Sequence, residues 1–205
     1  MSELLDRING KRVLALYQCG SHLFGTSGPD SDKDYTAILE DYDSCNIYKV
    51  DGADYFIYGV DTFKEALTFK SKHPGFLVMW LDNVVSVEKH ILYVADDFKT
   101  DFNKLISVNW VEVFPYWLRK NLDYFETWLE IGQHPKLLYH LYRLRSLVSH
   151  YKKTGKFEAF LSEEDKENII DYKIRNANTE KHLSNFKEII IYLETILKEE
   201  EQWAH

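Results

Sequence analysis

Every clear strand pattern in this 205-residue chain falls before residue 61, and from about residue 96 the pattern is almost wholly helical. Residues 12–18, RVLALYQ, form the uninterrupted apolar run of a buried strand. Residues 33–39, KDYTAIL, read as a second strand. NIYKV (46–50) and DYFIYGV (54–60) flank Asp51-Gly52, a pair whose tolerance of positive φ favours a tight hairpin. Residues 61–72 then show helical spacing with Asp61 in an N-cap position. Helices are expected over 97–106, 110–131, 135–153, 163–174 and 179–202. Gly132 and Pro135 separate the second of these from the third, and Gly155 follows the third. Short helices over 2–8, stopped by Asn9-Gly10, and over 75–81 complete the reading, and residues 84–94 are ambiguous. Strands first and helices later predict an α+β fold. The expected division is a core over residues 1–95 and a C-terminal helical lobe over 96–205, with a ligand site in a cleft between them.

Composition narrows the function classes. Apolar residues make up 45% of the chain and aromatics 15%, enough to build a core and to exclude general disorder. The formal net charge of -8 makes the chain a poor general binder of nucleic acid, so any such contact needs a local basic patch. Bound divalent cations would offset part of that charge locally. Cys19 and Cys45 are too few for a disulfide framework and lack zinc-ligand spacing, and Cys19, in an apolar run, reads as a core residue. No apolar stretch approaches the ~20 residues that cross a bilayer. The N-terminal residues lack the apolar segment of a signal peptide. The expectation is a cytoplasmic protein with no membrane contact.

The informative segment is CGSHLFGTSGPDSDKDYTAI, residues 19–38. A strand ends at Gly20-Ser21, where the absence of a side chain on Gly20 lets a phosphate approach the backbone and Ser21 offers a hydroxyl. A short helix over 21–25 would add N-terminal amides that favour an anion. After a loop rich in turn formers, Asp32 and Asp34 stand two apart at a strand start. Strand geometry turns both to one face, with Lys33 on the other. Adjacent carboxylates repel unless a cation sits between them. Magnesium takes hard oxygen ligands and commonly joins carboxylates to substrate phosphates. Asp-x-Asp alone more often marks a solvated strand end, and Gly-Ser alone says less. Apolar strand, Gly-Ser, short loop with Gly25, then Ser-Asp-x-Asp-Tyr is far more specific.

That segment, GSHLFGTSGPDSDKDY, resembles the active-site signature of the DNA polymerase beta-type nucleotidyltransferase superfamily. More narrowly, it is similar to the RNA-ligase-associated nucleotidyltransferase-like group, with Phe24 where that group often has tyrosine. The resemblance continues weakly over residues 62–77, where His73 replaces the usual asparagine and Val78 stands about where the group often has glutamate. It resumes over residues 136–157, KLLYHLYRLRSLVSHYKKTGKF, so it covers most of the chain through one highly specific motif and two modest ones. It implies a small mixed sheet with flanking helices. It also implies transfer of a nucleoside monophosphate from an NTP to a hydroxyl, with release of pyrophosphate. Two Mg2+ ions, or Mn2+ in their place, would be held by Asp32, Asp34 and a third carboxylate on a later strand, which in that superfamily often activates the attacking hydroxyl. Asp54 is the candidate for this third position and Asp61 the runner-up. Gly20 and Ser21 would hold the nucleotide phosphates.

In the helix expected over 135–153, Lys136, His140 and Arg143 fall at i, i+4 and i+7 and so share a face. A basic stripe of this kind suits a triphosphate tail, or else a solvated face paired with nearby acids. An RNA 3′ end, a small molecule and a protein hydroxyl all fit as acceptor; the resemblance favours RNA ends, and the acidic balance argues against long duplexes. Two rival readings stand beside this one. Arg145 and His150 form an Arg-x4-His pattern similar to that of HEPN-type ribonucleases, although five residues turn an ideal helix by roughly 140° and so separate the two side chains. The second rival is a non-catalytic nucleotide-binding module.

Overall fold

The computed structural model describes residues 8–67, 90–107, 110–132, 138–156, 160–175 and 179–203. The expected helix over 75–81, nearly all of that over 2–8, and Lys136, His73 and Val78 lie outside the described residues. The chain divides into two compact units, Met1–Val108 and Asn109–His205. The first unit thus includes the residues 96–108 that the sequence reading placed with the helical lobe.

The first unit is built on a mixed five-stranded sheet of order β3-β4-β2-β1-β5, comprising β1 (Val13–Cys19), β2 (Lys33–Leu39), β3 (Cys45–Val50), β4 (Ala53–Gly59) and β5 (Ile91–Val94). β2 runs antiparallel to β1 and parallel to β4; β3 and β5 are antiparallel edge strands. The hairpin β3–β4 closes on Asp51-Gly52 alone, with φ of 50° and 73°. Both signs are positive, as a type I′ turn requires, which is why Asp followed by Gly stands there. Residues 91–94, ambiguous in sequence, pair with β1 in β5.

Period-two alternation gives the sheet two different faces. One carries Leu16, Ala37, Leu39, Val50 and Ile57, which pack with Ile8 and are flanked by Tyr48 and Tyr55. On the other, Tyr17 packs against Phe102 of α2 (Lys99–Ile106) and Tyr58 meets Phe63 of α1 (Val60–Leu67) edge-on at 5.6 Å. This second face is sealed by aromatic rings towards the end of β2 and β4, while Asp34 and Asp54 stand at its beginning.

The second unit consists, among the described residues, of α3 (Trp110–Ile131), α4 (His140–Thr154), α5 (Glu163–Lys173) and α6 (Thr179–Trp203). α6 packs on the other three, and Trp117, Phe125, Leu141, Leu144, Phe186 and Leu193 are fully buried. Gly155 ends α4 at φ 70°, and its N–H bonds back to the Tyr151 carbonyl in the left-handed stop expected of glycine. Ser162 caps α5 by accepting the Asp165 N–H. The described architecture is therefore α+β, a mixed sheet with helices followed by a helical C-terminal region. Among the described residues no helix is long and apolar enough to cross a membrane.

Candidate active site

Strand register brings the carboxylates together. Asp34 lies opposite Cys19 on β1 and opposite Asp54 on β4, and Asp54 in turn lies opposite Lys49 on β3. Directly opposed residues point to the same face, so Asp34, Asp54 and Lys49 form a row across three strands. Asp32, two residues before Asp34, joins them: Lys49 Nζ donates to Asp32 Oδ2 at 2.5 Å and stands 3.9 Å from Asp54 Oδ1. The lysine's pKa is raised by its hydrogen bond to Asp32, and then by the negative charge of Asp54, Asp32 and Asp34. One ammonium thus sits in the field of all three carboxylates. Lys33 is exposed, away from this row, as alternation requires.

Gly20 has a sharper role than the sequence reading gave it. Its φ is 77°, and a Cβ built on it would lie 1.8 Å from Asp34 Oδ2 and 2.7 Å from Asp34 Cβ. The space left by the missing side chain is filled by the Asp34 carboxylate, so the glycine seats an acid. The expected helix over 21–25 is a succession of turns: the Leu23 N–H bonds to the Gly20 carbonyl, and the Thr26 N–H reaches back five residues to Ser21. Ser21 itself is buried, with its carbonyl used by Thr26. The loop that follows is tied to itself. The Gly28 N–H donates to Ser31 Oγ at 2.7 Å, and His22 Nε2 lies 3.1 Å from the Ser31 carbonyl. His22 thus braces the loop that delivers Asp32.

Asp61 is the second residue of α1, not the N-cap expected from sequence, because the helix starts at Val60; it lies beyond the far end of β4, whereas Asp54 stands near the strand's beginning. It pairs with Lys64 at 3.5 Å. It lines a cavity of about 1200 Å3 at that opposite end of the sheet, with Glu40, Asp43, Glu65, Asp97 and Asp101 among its other walls. Arg12 in the same wall is paired with Glu40 and Asp97. This cavity is large but acidic, and it is remote from the carboxylate row. It suits neither a phosphate nor the role considered for Asp61.

Of the helical residues singled out, His140 and Arg143 belong to the second unit and are buried. Arg143 Nη1 lies 3.2 Å from His140 Nδ1. A guanidinium can only donate, so Nδ1 accepts and the imidazole is neutral. Burial, with the charge of Lys173 added, pushes the His140 pKa down to about 3. At neutral pH the expected basic stripe therefore contains an uncharged histidine. Arg145 donates from Nε to Asp165 at 2.9 Å and from Nη2 to Glu164 at 3.1 Å, while His150 stacks on Phe160 at 4.4 Å. Arg145 therefore ties α4 to α5.

Lys49 escaped the sequence reading, although a signal existed. Once Asp51-Gly52 is taken as a two-residue turn, counting outwards pairs residue 50 with 53 and Lys49 with Asp54. Asp32, Asp34 and Asp54 supply the hard, anionic oxygens that Mg2+ or Mn2+ takes, and the Lys49 ammonium marks where a cation is stabilised. Among the described residues no three His, Cys, Asp or Glu side chains stand close enough to hold an ion as they are. The donor chemistry fits a divalent cation, and the carboxylates would have to turn inwards to reach it.

No family model matches the chain, and no curated protein matches it. Among solved structures it is similar to a nucleotidyltransferase-like protein from Exiguobacterium sibiricum 255-15, at 11% identity over 97% of this chain and 73% of that one, with a TM-score of 0.30. A likeness of that size bears on neither fold nor function.

Proposed function

We propose that this protein is a metal-dependent nucleotidyltransferase. The observation that supports the reading best is the register that sets Asp34 opposite Asp54, with Lys49 bonded to Asp32 and 3.9 Å from Asp54, beside a glycine whose missing side chain makes room for Asp34. In this reading an acceptor hydroxyl oxygen bonds to the α-phosphorus of an NTP as the bond from that phosphorus to the bridging oxygen breaks, and pyrophosphate leaves. Asp54 takes the proton from the attacking hydroxyl. Asp32, Asp34 and Asp54 would hold Mg2+ or Mn2+. Bound there, the metal would neutralise phosphate charge and favour the ionised hydroxyl. Gly20 and Ser21 set the course of the backbone beside the phosphates. Most of the rate acceleration would come from positioning and charge stabilisation. The resemblance of the residues 20–35 signature to an RNA-ligase-associated group makes an RNA end the acceptor to test first.

The test incubates the protein with each labelled NTP, Mg2+ or Mn2+, and a pool of tRNA and short RNAs. Pyrophosphate release and label transfer are followed beside an Asp32→Ala/Asp34→Ala double variant. Transfer that disappears in the variant supports the reading. Absence of any metal-dependent NTP binding refutes it. Full turnover by Asp54→Asn would remove Asp54 from the third position.

A further inference from the structure

We propose that Lys49 is an internal counter-ion of the carboxylate row, pairing with Asp32 and Asp54 and giving up that place when a divalent cation enters. The inference rests on the metal-binding reading of the site. Its grounds are geometric. Lys49 lies on edge strand β3, directly opposite Asp54, with its ammonium 2.5 Å from Asp32 Oδ2 and 3.9 Å from Asp54 Oδ1. The contact with Asp32 is not local in sequence, since Asp32 lies 17 residues away. The type I′ turn sets the Lys49–Asp54 register, and β2 pairing sets Asp34 beside Asp54.

An ammonium bonded to Asp32 and close to Asp54 repels a divalent cation that the same carboxylates take up. An arriving metal therefore competes with the ammonium for these oxygens. The lysine side chain is 63% exposed and mounted on an edge strand, so it can swing clear on its flexible stem without unpicking the sheet. Metal binding in this arrangement is an exchange of one cation for another rather than an entry into an uncompensated acidic cluster. The metal's apparent affinity is lowered by the competition.

The test is a Mn2+ titration of the full chain, with free Mn2+ followed by electron paramagnetic resonance, in wild type, Lys49→Met, Lys49→Arg and Asp34→Asn. Circular dichroism checks that each variant is folded. The expected result is that Lys49→Met binds Mn2+ more tightly, on the order of tenfold at low ionic strength, with the gain shrinking as salt rises. Lys49→Arg stays near wild type because it keeps the charge, and Asp34→Asn loses binding. Unchanged or weaker binding in Lys49→Met, with Asp34→Asn still defective, overturns the counter-ion role and leaves the metal site standing. Tightening in both Lys49→Met and Lys49→Arg also overturns it, since the charge would then not be the cause. If neither wild type nor Lys49→Met binds Mn2+, the metal reading fails and the counter-ion role falls with it.

Discussion

Replacing Gly20 by alanine tests the core of the site's geometry, because its effect separates into a backbone part and a contact part. The backbone part comes from φ of 77°, where a Cβ costs about 1 kcal/mol. Gly52 provides the reference: its φ is 73°, and a Cβ there meets nothing within 4 Å. Gly52→Ala should therefore show the backbone part alone, and for a chain of this size about 1 kcal/mol lowers the melting temperature by about 2–4 °C. At Gly20 the new Cβ falls 1.8 Å from Asp34 Oδ2 and 2.7 Å from Asp34 Cβ. Rotating the carboxylate relieves the first overlap, at about 1 kcal/mol for an off-rotamer side chain. The second requires the strand itself to yield, adding up to about 1 kcal/mol more through small angle changes. Gly20→Ala should thus cost about 2–3 kcal/mol and lower the melting temperature by about 5–10 °C. Thermal unfolding followed by circular dichroism compares the two variants, and Gly20→Ala/Asp34→Ala completes a double-mutant cycle. A coupling of at least about 0.5 kcal/mol is expected, since removing the Asp34 carboxylate relieves the closest overlap. Equal losses for Gly20→Ala and Gly52→Ala, with no coupling to Asp34, would refute the claim that the carboxylate occupies the glycine's missing volume.

Two further outcomes are expected in the helical unit. Asp165 is buried and accepts from Arg145 Nε at 2.9 Å and from Ser146 Oγ at 2.5 Å, so Asp165→Ala leaves a half-buried guanidinium with the exposed Glu164 and should cost about 2 kcal/mol. A fall in the urea midpoint at unchanged slope measures it, and a loss under about 1 kcal/mol contradicts the assignment. His140 stays neutral in the native state down to about pH 3, whereas its ordinary value is 6.5. Between those values the unfolded chain binds a proton that the native chain does not. Stability should therefore fall as pH drops through this window, by at most about 1.4 kcal/mol per pH unit, and level off below it. His140→Gln should flatten that part of the profile; an unchanged slope in the variant would show that His140 is not the group responsible.

Much of this architecture is readable along the chain because its signals are local. RVLALYQ, KDYTAIL and the Asp51-Gly52 turn each carry their conformation within a few residues, and β1, β2 and the hairpin stand where those patterns lie. Helices α3 and α6 likewise follow their periodicity almost to the residue. Non-local facts were harder to read. Residues 91–94 become a strand because β1 offers them an edge, which no local pattern announces. The placement of the helix expected over 97–106 has the same origin: the spacing predicts the helix, but Phe102 packs on Tyr17, so the segment joins the sheet's unit. Gly20 was singled out, yet its packing against Asp34 appears only once β1 and β2 are paired. Burial decides the charge state of His140, and spacing on a helical wheel says nothing of burial on its own.

The two-residue turn at Asp51-Gly52 has a consequence for how this region could vary. Side chains alternate across a strand, so a slip of one residue between β3 and β4 would set Tyr48 or Val50 opposite Asp54 and send Lys49 to the other surface. The local charge balance would then change by a whole unit without any substitution. Length changes in the self-tied loop over residues 26–31 leave that pairing untouched, whereas one at residues 51–52 loosens its only local constraint. The hairpin acts as a reading frame for electrostatics, and among descendants of this sequence its length should vary less than its composition.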